Sequence, residues 1–248
     1  MKLELKQSVS VVVTVFDETY SINETVKKLI NCDRGYIKEI MLLIHPKSPK
    51  RTLQICKELS ENHEFVIVQV QEVTPGVGWA VREGMEAAKG DFIALLSSDL
   101  ETEPEALDRM ITKIEETDCD LVIGNRWLKG GGFHNYNKLK LILNWLFQHI
   151  FRIIYFTKLG DLTYGCKVLK RDLVKKIDWE STLHEIFIET TIKPLKIGCK
   201  ADQVPTVWIA RTEGESNNTF LRNFRYVGLA LKVWIKKKGY CLKEGSLK

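Results

Sequence analysis

The sequence predicts an α/β fold, a mostly parallel central sheet flanked by helices, on three observations. Short β-branched runs lack polar alternation, helix-period segments separate them, and cap or glycine signals mark the junctions. Val9 to Val15 reads as a strand buried on both faces. Ser21-Ile22-Asn23-Glu24 offers a cap with a carboxylate three residues on, and Val26, Leu29 and Ile30 continue at helical spacing. The alternation repeats with strands at Glu39 to Ile44, Phe65 to Val70 and Phe92 to Leu96, and helices at Lys50 to Ser60 and Gly78 to Ala88. Repeated βα units imply right-handed crossovers. Ligands of such sheets gather beyond the strands' carboxyl ends, so the loops after Val15, Ile44, Val70 and Leu96 are predicted to share one crevice.

Pro104 sits early in a predicted helix running to about Glu116, where a missing amide hydrogen costs little, and Leu121 to Gly124 reads as another strand. The pattern then changes to a glycine triplet at 130 to 132, a long aromatic helix from about Lys138 to Phe156, and a turn at Lys158 to Asp161. This half is expected to serve the acceptor. The long helix spreads apolar residues over more than one face among cations, which fits either a buried core helix or one lying in a membrane interface. The segment 221–248 is set apart from residues 1–220 as a basic amphipathic tail, either lipid-binding or a solvated terminal helix.

With 248 residues the chain can hold one large domain, and 44% hydrophobic against 28% charged residues excludes a disordered composition. A net charge of +5 fits an anionic partner, but the dispersed cations and the lack of a recognition motif argue against nucleic acid. The six cysteines show no C-x-x-C pair, which favours reduced thiols and a cytoplasmic protein. Met1 to Ser8 lacks a signal-peptide pattern, and Leu139 to Phe156 is too polar and short for an unaided membrane span.

The chemistry-bearing candidates begin where Phe92 to Leu96 runs into Ser97-Ser98-Asp99-Leu100-Glu101. Alternate carboxylates in a turn after a central strand can face one ligand, and hard oxygen donors suit Mg²⁺ or Mn²⁺ carrying substrate phosphates. An acidic helix cap would produce the same letters. Upstream, Gly76-Val77-Gly78 opens a helix in a way that permits close backbone approach to a ligand.

Taken in order, Val13 to Glu18, Gly76 to Gly90-Asp91, Ser97 to Glu105, Gly124-Asn125-Arg126-Trp127 and Asp161 to Lys167 resemble the polyprenyl-phosphate (dolichol-phosphate mannose synthase-like) branch of family 2 glycosyltransferases. The likeness spans roughly residues 8 to 216. It implies a GT-A fold, inverting transfer, a nucleotide-diphosphate sugar donor, and a lipid-phosphate or glycan acceptor reached by peripheral contact with the inner membrane face. It implies that Val15, Phe16, Glu18, His45, Gly76, Gly78, Ser98, Asp99, Arg126 and Arg211 meet the donor. Asp99 and Glu101 would hold the metal, and Asp99 and Asp161 would be catalytic. Arg126 and Arg211 match phosphate-holding positions, a task that suits bidentate guanidinium groups; for either, the plain alternative is a surface ion pair. Asp161 would orient or deprotonate an acceptor, or else cap its turn.

The departures are specific. Ser97 stands where the metal motif has its first aspartate, and His45-Pro46-Lys47-Ser48 replaces an Asp-Asp-Gly-Ser used in donor recognition. His45 would be a stacking or polar contact to the base, or a structural strand-end histidine. The departures also admit a non-catalytic nucleotide-sugar-binding module, or a transferase acting on a sugar hydroxyl.

Overall fold

The computed structural model describes residues 7–73, 76–211, 213 and 223–246. A seven-stranded sheet runs through it in the order β3-β2-β1-β4-β7-β5-β8. The strands are β1 (Val9–Val15), β2 (Ile37–Ile44), β3 (Val66–Val70), β4 (Phe92–Ser97), β5 (Leu121–Asn125), β7 (Lys167–Lys170) and β8 (Ala201–Pro205). β1 pairs in parallel with β2 and β4, β2 with β3, and β5 with β8, whereas β7 runs antiparallel between β4 and β5. Two further strands, β6 (Gly132–His134) and β9 (Val207–Ile209), pair in parallel beside the sheet.

The absence of polar alternation in β1 follows from burial on both faces. Val9, Val11, Val13 and Val15 meet one layer, built with α1 (Tyr20–Cys32), α2 (Lys50–Asn62) and α4 (Ala106–Thr117). Val12 meets the other, which holds α3 (Val77–Ala87), α5 (Lys138–Ile154), α6 (Arg171–Lys176), α7 (Ile186–Ile197) and α8 (Asn223–Ile235). All six cysteines are free.

Three expectations are corrected. Ser21 lies inside α1 and is no self-cap. Its N–H and hydroxyl bond to the Glu213 carboxylate, which also takes the Thr19 N–H, so the helix start is held from a distant part of the chain. Pro104 lies in the turn before α4, which starts at Ala106. The core-helix option for α5 fails: only Gln148 and Phe151 are buried, while Leu139 and Ile142 are each 63% exposed and Ile153 is 73% exposed. No helix among the described residues is long and apolar enough to cross a membrane.

The proposed boundary at 220/221 lies outside the described residues. Beyond it, α8 buries Leu229, Ala230 and Val233 against the second layer. Lys232 and Tyr240 both bond to Glu180, and Cys241 is buried.

Candidate active site

The carboxyl ends of β1, β2, β3 and β4 open into one cleft of about 1160 Å³, lined by Phe16, His45, Gln71 and Ser97 among others. The predicted shared crevice is therefore present, and its far wall is made by α5, the start of α7, and α8.

At its centre lies the turn after β4. Leu100 adopts a left-handed conformation with φ 57°, uncommon for a leucine, and the carboxylates on either side converge on one cation. That cation is Arg211. Its terminal nitrogen lies 2.8 Å from Asp99 Oδ2, and its Nε lies 2.8 Å from Glu101 Oε1. Asp99 Oδ1 accepts from the Ser97 hydroxyl at 2.5 Å and from the Glu101 N–H at 3.0 Å. Glu101 Oε2 accepts from Trp208 Nε1 at 3.1 Å. Backbone pairing sets this up, because Ile209 N–H donates to Glu101 O and brings β9 and the following Arg211 against the turn.

Burial pushes the Glu101 carboxyl up, reinforced by Asp99, while Arg211 and Trp208 pull it back. Burial likewise raises the neighbouring Glu18, whose carboxylate accepts the Phe16 N–H at 2.8 Å. The donor set fits a divalent ion in part. Two hard carboxylates face one point, but among the described residues no further metal-ligating His, Cys, Asp or Glu joins them.

Arg126 forms the second charged centre. It is buried, and it binds Asp161 through Nε at 2.6 Å and a terminal nitrogen at 3.0 Å. Its guanidinium lies 4.3 Å from the Tyr164 ring centroid and 5.0 Å from that of Phe133. Burial opposes its charge, but Asp161 outweighs that and raises its pKa.

Asp161 is fully buried, does not line the cleft, and also accepts from Gln148 Nε2 at 3.1 Å. Asp161, anticipated from the sequence to orient or deprotonate the acceptor or to cap its turn, sits behind Arg126 and not on the cleft lining. Its oxygens hold Arg126 and tie it to Gln148 and Thr163.

Other predicted residues divide in the same way. Val15, Phe16, Glu18, His45 and Gly76 line the cleft. His45 meets Phe16 edge-on at 4.9 Å, and its Nδ1 accepts the Lys47 N–H at 3.0 Å, which assigns the neutral ring an Nε2–H. Burial, then Lys47, lowers its pKa.

Ser98 turns away from the cleft to bond Thr14 O at 2.8 Å. Gly78 is also outside it: a Cβ there would lie 2.4 Å from Thr182 C, so glycine serves the packing of α3 against the chain before α7. Gly76 is tight against the same segment, its Cβ position 2.5 Å from Thr182 O. Sequence reasoning missed the aromatic wall of Phe133, Tyr136 and Trp208, joined by contacts of 5.1 and 4.7 Å. A clue lay in the aromatics that flank the glycine triplet and precede Arg211.

Comparison with known proteins matches residues 10–178 to the family model described as Glycosyl transferase family 2. The chain is similar to a dolichol-phosphate mannosyltransferase of Pyrococcus furiosus, 25% identical over 221 residues, covering 88% of this chain and 61% of that protein. It is also similar to a dodecaprenyl-phosphate galacturonate synthase of Rhizobium johnstonii, 24% identical over 223 residues, covering 88% of this chain and 64% of that protein. The chain thus spans less than two thirds of these relatives' lengths. Among solved structures, glucosyl-3-phosphoglycerate synthase from Mycobacterium tuberculosis, in complex with Mn²⁺, UDP and phosphoglyceric acid, superposes with a TM-score of 0.69 at 13% identity, covering 97% of this chain and 81% of that one. This likeness shows the GT-A fold.

Proposed function

The chain belongs to glycosyl transferase family 2, and we propose that it moves a sugar from a nucleotide diphosphate to a polyprenyl-phosphate-type lipid in one inverting displacement. The observation that carries this reading is the union of two arginine centres in a cleft whose far wall is an exposed apolar helix. Phosphate chemistry sits at one side and an oily approach at the other.

In this reading, His45 and Phe16 meet the base, Arg211 meets the donor diphosphate, and Arg126 holds phosphate charge where the reacting groups come together. Asp99 and Glu101 would hold Mg²⁺ or Mn²⁺, whose chemistry there is neutralisation of the departing diphosphate. A lipid phosphate is already anionic at neutral pH, so it needs orientation more than a general base. The engagement of Asp161 with Arg126 agrees with this, making Asp161 a positioning residue.

The relatives' printed names, each a polyprenyl-type phosphate transferase or synthase, support the same acceptor class. Exposed Ile142, Ile153 and Phe156 near α5, with Trp234 and Ile235 of α8 and exposed Lys236 and Lys237 beside them, supply a peripheral membrane contact at the cytoplasmic face. Residues 1–220 would form the transferase domain and 221–248 the basic segment that completes the membrane-facing surface.

The test is transfer by the purified full chain. Vesicles carrying a polyprenyl phosphate are offered UDP-, GDP-, CDP- and TDP-sugars with Mg²⁺ or Mn²⁺, and products are read by mass spectrometry. A glycosyl-phosphate lipid from one donor is the expected result. Absence of product from every donor would refute catalysis, and transfer to a soluble sugar hydroxyl without lipid would refute the acceptor class.

A further inference from the structure

We propose that Arg211 is an internal cation standing where a divalent ion would bind, and that it releases Asp99 and Glu101 to the metal only when a diphosphate claims its guanidinium. The inference rests on the transferase reading above and adds to it an order of events, in which metal and donor bind as a coupled pair.

The carboxylate accounting carries it. Every oxygen of the pair already has a protein donor: Ser97 and the Glu101 N–H on Asp99 Oδ1, Arg211 on Asp99 Oδ2, Arg211 on Glu101 Oε1, and Trp208 on Glu101 Oε2. The two contacts that face a common point both belong to one guanidinium. Charge-assisted bonds of this forked kind are about twice as strong as neutral ones. A divalent ion entering between the same two carboxylates meets a fixed positive charge and must displace it.

A donor diphosphate changes that balance, because its oxygens offer the same fork an alternative anion of higher charge. The exchange moves the Arg211 side chain between backbone segments that are anchored on both sides. The backbone on one side is held by Ala210 N–H on His134 O, and on the other Glu213 is held by Ser21 and Thr19. At 21% exposure the Arg211 side chain borders the cleft rather than being sealed in the core. A ligand shifts such an equilibrium only through its differential affinity for the two arrangements, and the coupling is reciprocal: metal strengthens nucleotide binding by the factor that nucleotide strengthens metal binding.

The experiment reads metal binding, not turnover. Mn²⁺ is titrated into the full chain without nucleotide, and free Mn²⁺ is followed by electron paramagnetic resonance. The expected result is weak binding by the wild type and at least about tenfold tighter binding by Arg211→Gln, equivalent to about 1.4 kcal/mol. Adding Asp99→Asn to that variant should remove the gain, which ties it to this carboxylate pair. With UDP, GDP, CDP or TDP present, whichever binds should tighten Mn²⁺ binding by the wild type more than by Arg211→Gln.

Equal Mn²⁺ affinity of wild type and Arg211→Gln in the nucleotide-free titration overturns the proposal. If Arg211→Gln does not fold, Arg211→Met, which keeps much of the stem's packing, provides the same comparison with the same refuting outcome. Failure of all four nucleotides to bind would refute the transferase reading, whereas the metal-only comparison would still decide whether Arg211 guards the pair.

Discussion

Replacing Asp161 by Asn isolates what the buried Arg126–Asp161 pair does. Arg126 is 7% exposed and Asp161 is 0% exposed, so the guanidinium has little water to fall back on. Asparagine has nearly the same shape but lacks the charge, and one of its two positions becomes an NH₂ group. Both carboxylate oxygens of Asp161 now accept, Oδ2 from Arg126 Nε and Oδ1 from Arg126 and Gln148, so either amide orientation sets a donor against a donor. Removing one partner of a buried pair costs about 3–5 kcal/mol. At about 2–4 °C per kcal/mol for a chain of this size, Asp161→Asn should lower Tm by roughly 6–20 °C.

Calorimetry with a chemical-denaturation series measures that loss directly. A second pair of variants, Arg126→Met alone and combined with Asp161→Leu, closes the argument. The combined variant should be more stable than Asp161→Asn, because it leaves neither charge stranded. A loss below about 1 kcal/mol for Asp161→Asn, with transfer abolished, would refute the positioning role and return Asp161 to direct chemistry.

Three further outcomes follow from the same structure. Thr19 and Ser21 hold the Glu213 carboxyl at about 2 despite the opposing effect of burial. A depressed folded pKa stabilises above the unfolded value, so the advantage of wild type over Glu213→Gln should be full at neutral pH and fade between about pH 5 and pH 2. Paired thermal melts across that range check it, and a pH-independent difference would contradict it.

Burial pushes the Lys167 ammonium down to about 7, although its Nζ donates to Phe187 O at 2.6 Å and Thr191 Oγ1 at 2.7 Å. Between that value and roughly 10.4 the unfolded chain binds more protons, so wild type should gain stability relative to Lys167→Met as pH rises through that window. Denaturant titrations at several pH values would show it, and a flat difference would refute it. On the surface, Ile142→Glu or Ile153→Glu should weaken co-sedimentation with anionic vesicles by about tenfold or more each, with melting nearly unchanged. Unaltered sedimentation would remove α5 from the membrane contact.

The fold was legible where a local pattern had a single physical cause. The Val9 to Val15 run could only be so uniformly apolar if both faces of the strand were covered, and the structure covers both. The position of β7 was not legible. Four residues, Lys167 to Lys170, with a cation at each end give little periodicity, and their antiparallel insertion between β4 and β5 is a long-range pairing.

The cap of α1 was misread for a similar reason. Ser21 and Glu24 satisfy a local rule, but the carboxylate that wins comes from Glu213. At the site, the residue types at 99, 101, 126, 161 and 211 could be picked out in advance. That 161 pairs with 126, and 211 with both 99 and 101, is tertiary information no spacing contains.

The reversed course of β7 has a consequence for how such a protein can diversify. Because β5 ends and β7 begins at the same edge of the sheet, residues 126–166 leave and re-enter the scaffold through neighbouring doors. Strand register on either side is fixed by pairs such as Leu95 with Lys167 and Ile123 with Lys167, independently of the length of that excursion. The stretch between Arg126 and Asp161 is therefore free to vary: it can be lengthened, shortened or resurfaced to suit a new acceptor, while the buried pair that closes it and the sheet beneath keep their places.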